Sequence, residues 1–181
     1  MARFRALGLA VFLLMGCASA DFIRLREGPV GMAHRPALEE VFVTPQSTRG
    51  DPVRIYVKAS DPDGDLDRFV VSLEQLADLY PQEVILLPQG VKAISGYIDF
   101  LGTVPPPSQP IDELEVWVNV HAEDRAGNSS ERRRLYLIIS DHQVEQIPPP
   151  DGRFDLTRRL GWLREWLQTP ESQVGDGDRD P

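Results

Sequence analysis

The sequence predicts an all-β protein: a single antiparallel sandwich of about seven strands, followed by a C-terminal amphipathic helix. Three observations carry that reading. Apolar and polar residues alternate along short runs, and clusters of Pro, Gly, Asn and Asp separate the runs. No long helix-period segment stands between them to cover a parallel sheet.

The runs come in order. Leu38 to Thr44 ends at Pro45, and Val53 to Ala59 places Val53, Ile55, Val57 and Ala59 on one face. Asp61-Pro-Asp-Gly-Asp65 is turn chemistry. Leu66 to Leu73 then aligns Phe69, Val71 and Leu73, Glu83 to Leu87 is a short apolar run before Pro88, and Ala93 to Leu101 follows with Gly96 inside it. Leu73 to Tyr80 reads as either one helical turn or a crossover between strands. Beyond the proline-rich loop Pro105–Pro110, the longest alternation sets Leu114, Val116, Val118, Val120 and Ala122 against Glu115, Trp117, Asn119, His121 and Glu123. Trp117 on the polar side is expected to pack under a neighbouring loop or the helix. Arg125 to Asn128 turns the chain, and Arg133 to Ser140 closes it with Leu135, Leu137 and Ile139 inward. Over residues 37–141 this is the pattern of an immunoglobulin-like sandwich.

Two segments of that pattern carry a resemblance. Ala59-Ser-Asp-Pro-Asp-Gly-Asp-Leu66 resembles the turn after the second strand in bacterial cadherin-like, PKD-like and other Ig-like surface modules. Ala122-Glu-Asp-Arg-Ala-Gly-Asn-Ser129 is similar to the hairpin near the end of bacterial Ig-like repeats. The resemblance implies an adhesive, structural or spacer unit without catalytic activity, and it names no ligand.

The N-terminus speaks of location. Arg3 and Arg5 precede a short apolar run, Ala6 to Leu14, that is too short to span a bilayer and reads as an export signal over residues 1–16. Leu14-Met15-Gly16-Cys17 resembles the lipobox of bacterial lipoproteins, in which Cys17, the only cysteine of the chain, is acylated and becomes the first residue. A plain signal peptide cut after Ala18 or Ala20 is the alternative. Residues 17–36 read as lipid anchor and tether. Ala18 and Ser19 lack the aspartate that lipoproteins often use for inner-membrane retention, so the resemblance implies the outer membrane of a double-membraned bacterium.

Removing residues 1–16 leaves 17 basic against 28 acidic residues, a net charge of −11. Such a chain is unsuited to nucleic acid, whose phosphates need clustered Lys and Arg. His34, His121 and His142 are scattered without metal-ligand spacing, and neither a nucleophile elbow nor a phosphate-cradling glycine loop is present. No enzyme is expected.

Chemistry has two places to sit. Asp61, Asp63, Asp65 and Asp67 alternate around Gly64, and hard oxygens at such spacing suit Ca²⁺. An EF-hand fails, because Leu66 and Ser72 hold its sixth and twelfth positions. In an Ig fold the loop before the last strand reaches the same end, which brings Asp124 and Asn128 toward Asp61, Asp63 and Asp65. The five make either a cation site or a set of turn formers that cap their own backbone. No other cofactor is expected.

The second place is the C-terminus. Residues 142–154, with Pro148 to Pro150, read as a stiff linker. Over 155–168, Leu156, Leu160, Leu163 and Leu167 fall at i, i+4, i+7 and i+11, with Trp166 beside them, the apolar stripe of a helix. That stripe either folds back on the sandwich or binds a protein partner in the envelope. Residues 169–181 read as a disordered acidic tail. The function expected is a membrane-anchored, non-enzymatic scaffold or interaction module; the alternative is a calcium-dependent adhesion or carbohydrate-binding module.

Overall fold

The computed structural model describes residues 34–76, 78–103 and 113–168. The export signal, Cys17, most of the tether and the acidic tail lie outside the described residues. Among the described residues there are ten strands: β1 (Ala37–Val43), β2 (Gln46–Thr48), β3 (Val53–Ser60), β4 (Leu66–Gln75), β5 (Asp78–Leu79), β6 (Glu83–Val91), β7 (Ala93–Thr103), β8 (Leu114–Asp124), β9 (Arg133–Ser140) and β10 (Arg159–Trp166). They form two sheets, one in the order β1-β3-β7-β10 and the other in the order β2-β9-β8-β4, with β5 and β6 both pairing with β4. All seven expected strands are there, and β2, β5 and β10 are additional.

The core lies between the sheets and is built from the predicted alternation. Val53, Ile55, Val57 and Ala59 of β3 face Val116, Val118, Val120 and Ala122 of β8, with Phe69, Ile98, Phe100 and Leu137 filling the middle, all buried. Each full burial of such an aliphatic or aromatic side chain stabilises by roughly 1.5–3 kcal/mol. Pairings are antiparallel except for β2 with β9 and β10 with β7, which are parallel. Residues 73–80 form no helical turn: β4 runs on to Gln75 and β5 pairs back on it.

The expected helix at 155–168 is corrected. Residues 159–166 form a strand that extends the first sheet, in register from Gly161 opposite Ile98 to Trp166 opposite Thr103. Strand parity splits the leucine stripe. Leu163 and Leu167 point into the core and are 3% and 1% exposed, Leu160 at the bulge before Gly161 packs against the core from its rim, and Trp162, Arg164 and Trp166 line the outer side. Gly161 weakens a helix at its centre by about 1 kcal/mol relative to Ala, and in the strand its lack of a side chain leaves room for Ile85 of β6. On β7, a Cβ at Gly96 would overlap the Arg158 carbonyl oxygen and the Leu160 side chain. In the constant-type immunoglobulin arrangement the fourth position of this sheet belongs to an internal strand; here the C-terminal segment supplies it.

Residues 142–158 lie along the sandwich rather than standing off it as a linker. Val144 N–H donates to Thr48 Oγ1 at 3.1 Å, Ile147 N–H to Thr44 Oγ1 at 3.1 Å, and Asp155 N–H to Ser95 Oγ at 2.9 Å. Phe154 is buried against Tyr56, ring centroids 5.8 Å apart, on the outer face of the first sheet. Trp117 packs under neither a loop nor a helix but against Tyr136 of the neighbouring strand β9, the tilted rings 4.8 Å apart, with the Arg134 guanidinium over its ring.

Leu163→Ala should lower the unfolding free energy by about 2–5 kcal/mol through the cavity it leaves, while Leu156→Ala, at an exposed position, stays within about 0.5 kcal/mol. Gly96→Ala should cost about 1–3 kcal/mol by displacing β10. Urea denaturation of the three variants checks the order, since a helical stripe would make Leu156 and Leu163 equivalent.

Candidate functional site

The acidic turn begins where β3 ends. Asp61 N–H donates to the Lys92 carbonyl at 2.7 Å, tying the turn to the start of β7. Asp61 then caps its own turn: its Oδ1 accepts from Asp63 N–H at 2.9 Å and its carbonyl from Gly64 N–H at 3.2 Å. Gly64, at φ 76°, closes the bend. This local bonding explains how an aspartate 2% exposed is tolerated.

The remaining oxygens are not satisfied. Asp61 Oδ2 and Asp65 Oδ1 are buried without a hydrogen-bond donor. Asp61, Asp63 and Asp65 each place a carboxylate oxygen within 4.8 Å of the others. Burial, then the Asp61 carboxylate, and then Asp124 and Asp63, hold the Asp65 carboxyl above the ordinary aspartate range. Both oxygens of Asp63 face His34, with Oδ2 accepting its N–H at 2.6 Å and Oδ1 lying 2.9 Å from Nδ1. That contact lowers the Asp63 pKa and raises that of His34.

Of the five expected ligands, three are therefore gathered. Asp124 comes to the same end of the fold, opposite Leu66, and Arg125 N–H donates to the Asp65 carbonyl at 3.0 Å. The Asp124 carboxylate, however, is engaged by Asn128, which donates its N–H to Oδ1 and its Nδ2 to Oδ2, both at 2.8 Å. Asp67 is set apart by Arg68 at 2.6 Å and Arg125 at 3.5 Å. A hard divalent cation between Asp61, Asp63 and Asp65 would give the two donorless oxygens a partner, and the remaining positions of its shell fall to water.

The expected partner-binding residues divide. Leu163 and Leu167 are core, Leu160 is half-buried, and Leu156 and Trp166 are exposed. Trp162 stands with Trp166 on the outer side of β10, the two 60% and 65% exposed. Sequence reasoning also missed the clasp that holds the end of β10. Buried Gln75 donates Nε2 to the Gln168 carbonyl at 2.5 Å and accepts Gln168 N–H on Oε1 at 3.0 Å, where Tyr80 also donates at 2.8 Å. The side-chain amide thus stands in for one more strand residue. A polar residue ending an otherwise apolar inward run on β4 was the only signal for it.

No protein-family model and no curated protein matches the sequence. Among solved structures, the chain is similar to the PKD domain of an M14-like peptidase from Thermoplasmatales archaeon SCGC AB-540-F20. The identity is 12% and the TM-score 0.40, over 60% of this chain and 98% of that one. It is also similar to the CARDB domain of the PF1109 protein from Pyrococcus furiosus, solved in complex with di-metal ions. There the identity is 10% and the TM-score 0.32, over 59% of this chain and 94% of that one.

Because the Asp65 pKa is raised on folding, the cation-free protein holds this proton more tightly than the unfolded chain does. That contribution is complete below the unfolded aspartate value and is lost as pH rises through the raised one. Asp65→Asn should therefore raise the melting temperature in chelator at pH 7, by a few degrees, and abolish any gain on adding CaCl₂. The wild-type gain should shrink on acidification, as protons compete for the same oxygens. Calorimetry with CaCl₂ and with chelator at two pH values reads all three.

Proposed function

We propose that this chain is a lipid-anchored envelope lipoprotein whose Ig-like sandwich is a non-enzymatic protein-interaction module, with the outer side of β10 as its docking face. The observation that carries the reading is the pair of exposed tryptophans, Trp162 and Trp166, on a strand that pairs with β7 alone among the described residues. Large amphipathic aromatics at a solvent-facing edge are the residues that anchor protein interfaces. The absence of catalytic duty is supported by the use of the histidines and the cysteine. His34 is tied to Asp63, His121 lies 3.2 Å from Glu123, and Cys17 is consumed by acylation.

The anchor rests on Leu14-Met15-Gly16-Cys17 and places the protein in the outer membrane, facing the periplasm or the surface. Stable attachment needs two or more acyl chains, each buried CH₂ contributing about 0.8 kcal/mol. A calcium-dependent adhesion or carbohydrate-binding module is the second reading, favoured by the donorless oxygens of Asp61 and Asp65.

Cys17→Ser, expressed in a double-membraned bacterium, should move the protein from the membrane to the soluble fraction or leave it unprocessed; a processed variant still in the membrane refutes the anchor. Trp162→Ala with Trp166→Ala should abolish cross-linking to envelope proteins with a melting shift of at most a few degrees. Cross-linking lost in chelator and restored by CaCl₂ would favour the second reading.

A further inference from the structure

Unpaired strand edges are where sheets recruit other chains, and natural sheets blunt them with short strands, bulges, prolines and charges. Three boundaries of this sandwich carry such devices among the described residues. β1 is bulged between Leu38 and Glu40 and bears two consecutive acids, Glu39 and Glu40. β2 is three residues long and is covered where Val144 and Gln146 bond to Thr48 and Ser47. Beyond β4, β5 is two residues long, and β6 is interrupted by Pro88. The fourth boundary, β10, is bulged at its start between Arg159 and Gly161 and carries Arg164 and Glu165, but from Gly161 to Trp166 it keeps straight register, contains no proline, and exposes both tryptophans.

The strand is also complementary to itself. In an antiparallel pair, residues directly opposite point to the same side of the sheet, so a two-fold axis must pass at a residue. Placed at Arg164, it sets Arg against Arg. Placed at Leu163, it sets Trp162 of each copy opposite Arg164 of the other, a cation–π pair made twice. The remaining inward charge, Glu165, falls opposite Gly161, which has no side chain to meet it. A closed, isologous contact of this kind needs no second surface.

We propose that β10 is the interface between two copies of this chain, paired antiparallel about a two-fold axis at Leu163 to join their first sheets into one. The inference rests on the reading of β10 as the docking face and names what docks there. It predicts that the full chain carrying Cys17→Ser sediments in detergent as a concentration-dependent dimer at about 100 μM or below. Trp162→Lys, which sets Lys against Arg164, should weaken the dimer by about tenfold or more, and the double change Trp162→Lys with Arg164→Glu, which makes the pair opposite in charge, should restore it. Trp162→Cys chains mixed with Arg164→Cys chains should form a disulfide-linked pair that neither forms alone in comparable yield.

Wild-type affinity retained in Trp162→Lys overturns the proposal, as does failure of the double variant to recover while its melting temperature stays at the wild-type value. A chain that remains monomeric with both tryptophans shielded from iodide would put its own residues 169–181 on the edge. One that remains monomeric with both exposed would leave the edge to a different protein. Either result overturns the second-copy interface, and the latter leaves the docking reading of β10 intact.

Discussion

The insertion of Leu163 and Leu167 between the sheets is the contact on which the rest of the architecture depends. Without β10 the first sheet ends at β7, and the sides of Ile98 and Phe100, both fully buried, open toward water. Two buried leucines contribute roughly 3–6 kcal/mol, a large part of the 5–15 kcal/mol that holds a domain of this size folded. The insertion also dictates the route of residues 142–158. They carry the chain from β9 in the second sheet to β10 in the first, and along the way Phe154 covers Tyr56 and the Thr44 and Thr48 hydroxyls accept backbone N–H groups. Gln75 then fixes the far end of the strand, so that register is set at both its ends and in its middle.

The sandwich was legible because its information is local and repeated. Alternation in β3, β4, β8 and β9 names their inward residues one by one, and turn residues mark their ends. β2 and β5 are too short for any period to show; they exist because β9 and β4 offer them partners. β10 was misread for a different reason. Leucines at i, i+4, i+7 and i+11 satisfy a helical stripe, while Leu163 and Leu167 alone also satisfy strand parity, and only the vacancy beside β7 decides between the two. Gly161 and the two tryptophans, all poor in helices, were the local hint.

The acidic turn shows the same division. That Asp61, Asp63 and Asp65 would converge follows from a five-residue turn, and that Asp124 would approach follows from which loops share an end of an Ig fold. How each carboxylate is used was not legible. Asn128 occupies Asp124, two arginines occupy Asp67, and His34, from before β1, occupies Asp63. Those choices sort five similar aspartates into engaged and unengaged groups. Asp61 Oδ2 and Asp65 Oδ1 remain without a donor, a state that a shared proton or a cation relieves.

The turn and the edge strand are also related by geometry. Ala37 of β1 lies opposite Ser60, the residue before Asp61, so the chain arriving from Cys17 enters the sandwich at the acidic end. β10 starts near that end, with Arg159 opposite Tyr97, and runs away from it. Antiparallel pairing through β10 therefore puts the two entry points at opposite ends of the joined sheets, fourteen residues apart along the strands and seven strand spacings apart across them, roughly 55 Å in all. The segment from Cys17 to His34, even at full stretch, reaches about 55–60 Å. On the proposed anchor each copy has its own tether, and the two together span about twice that reach, so the proposed pairing leaves room for both copies in one membrane.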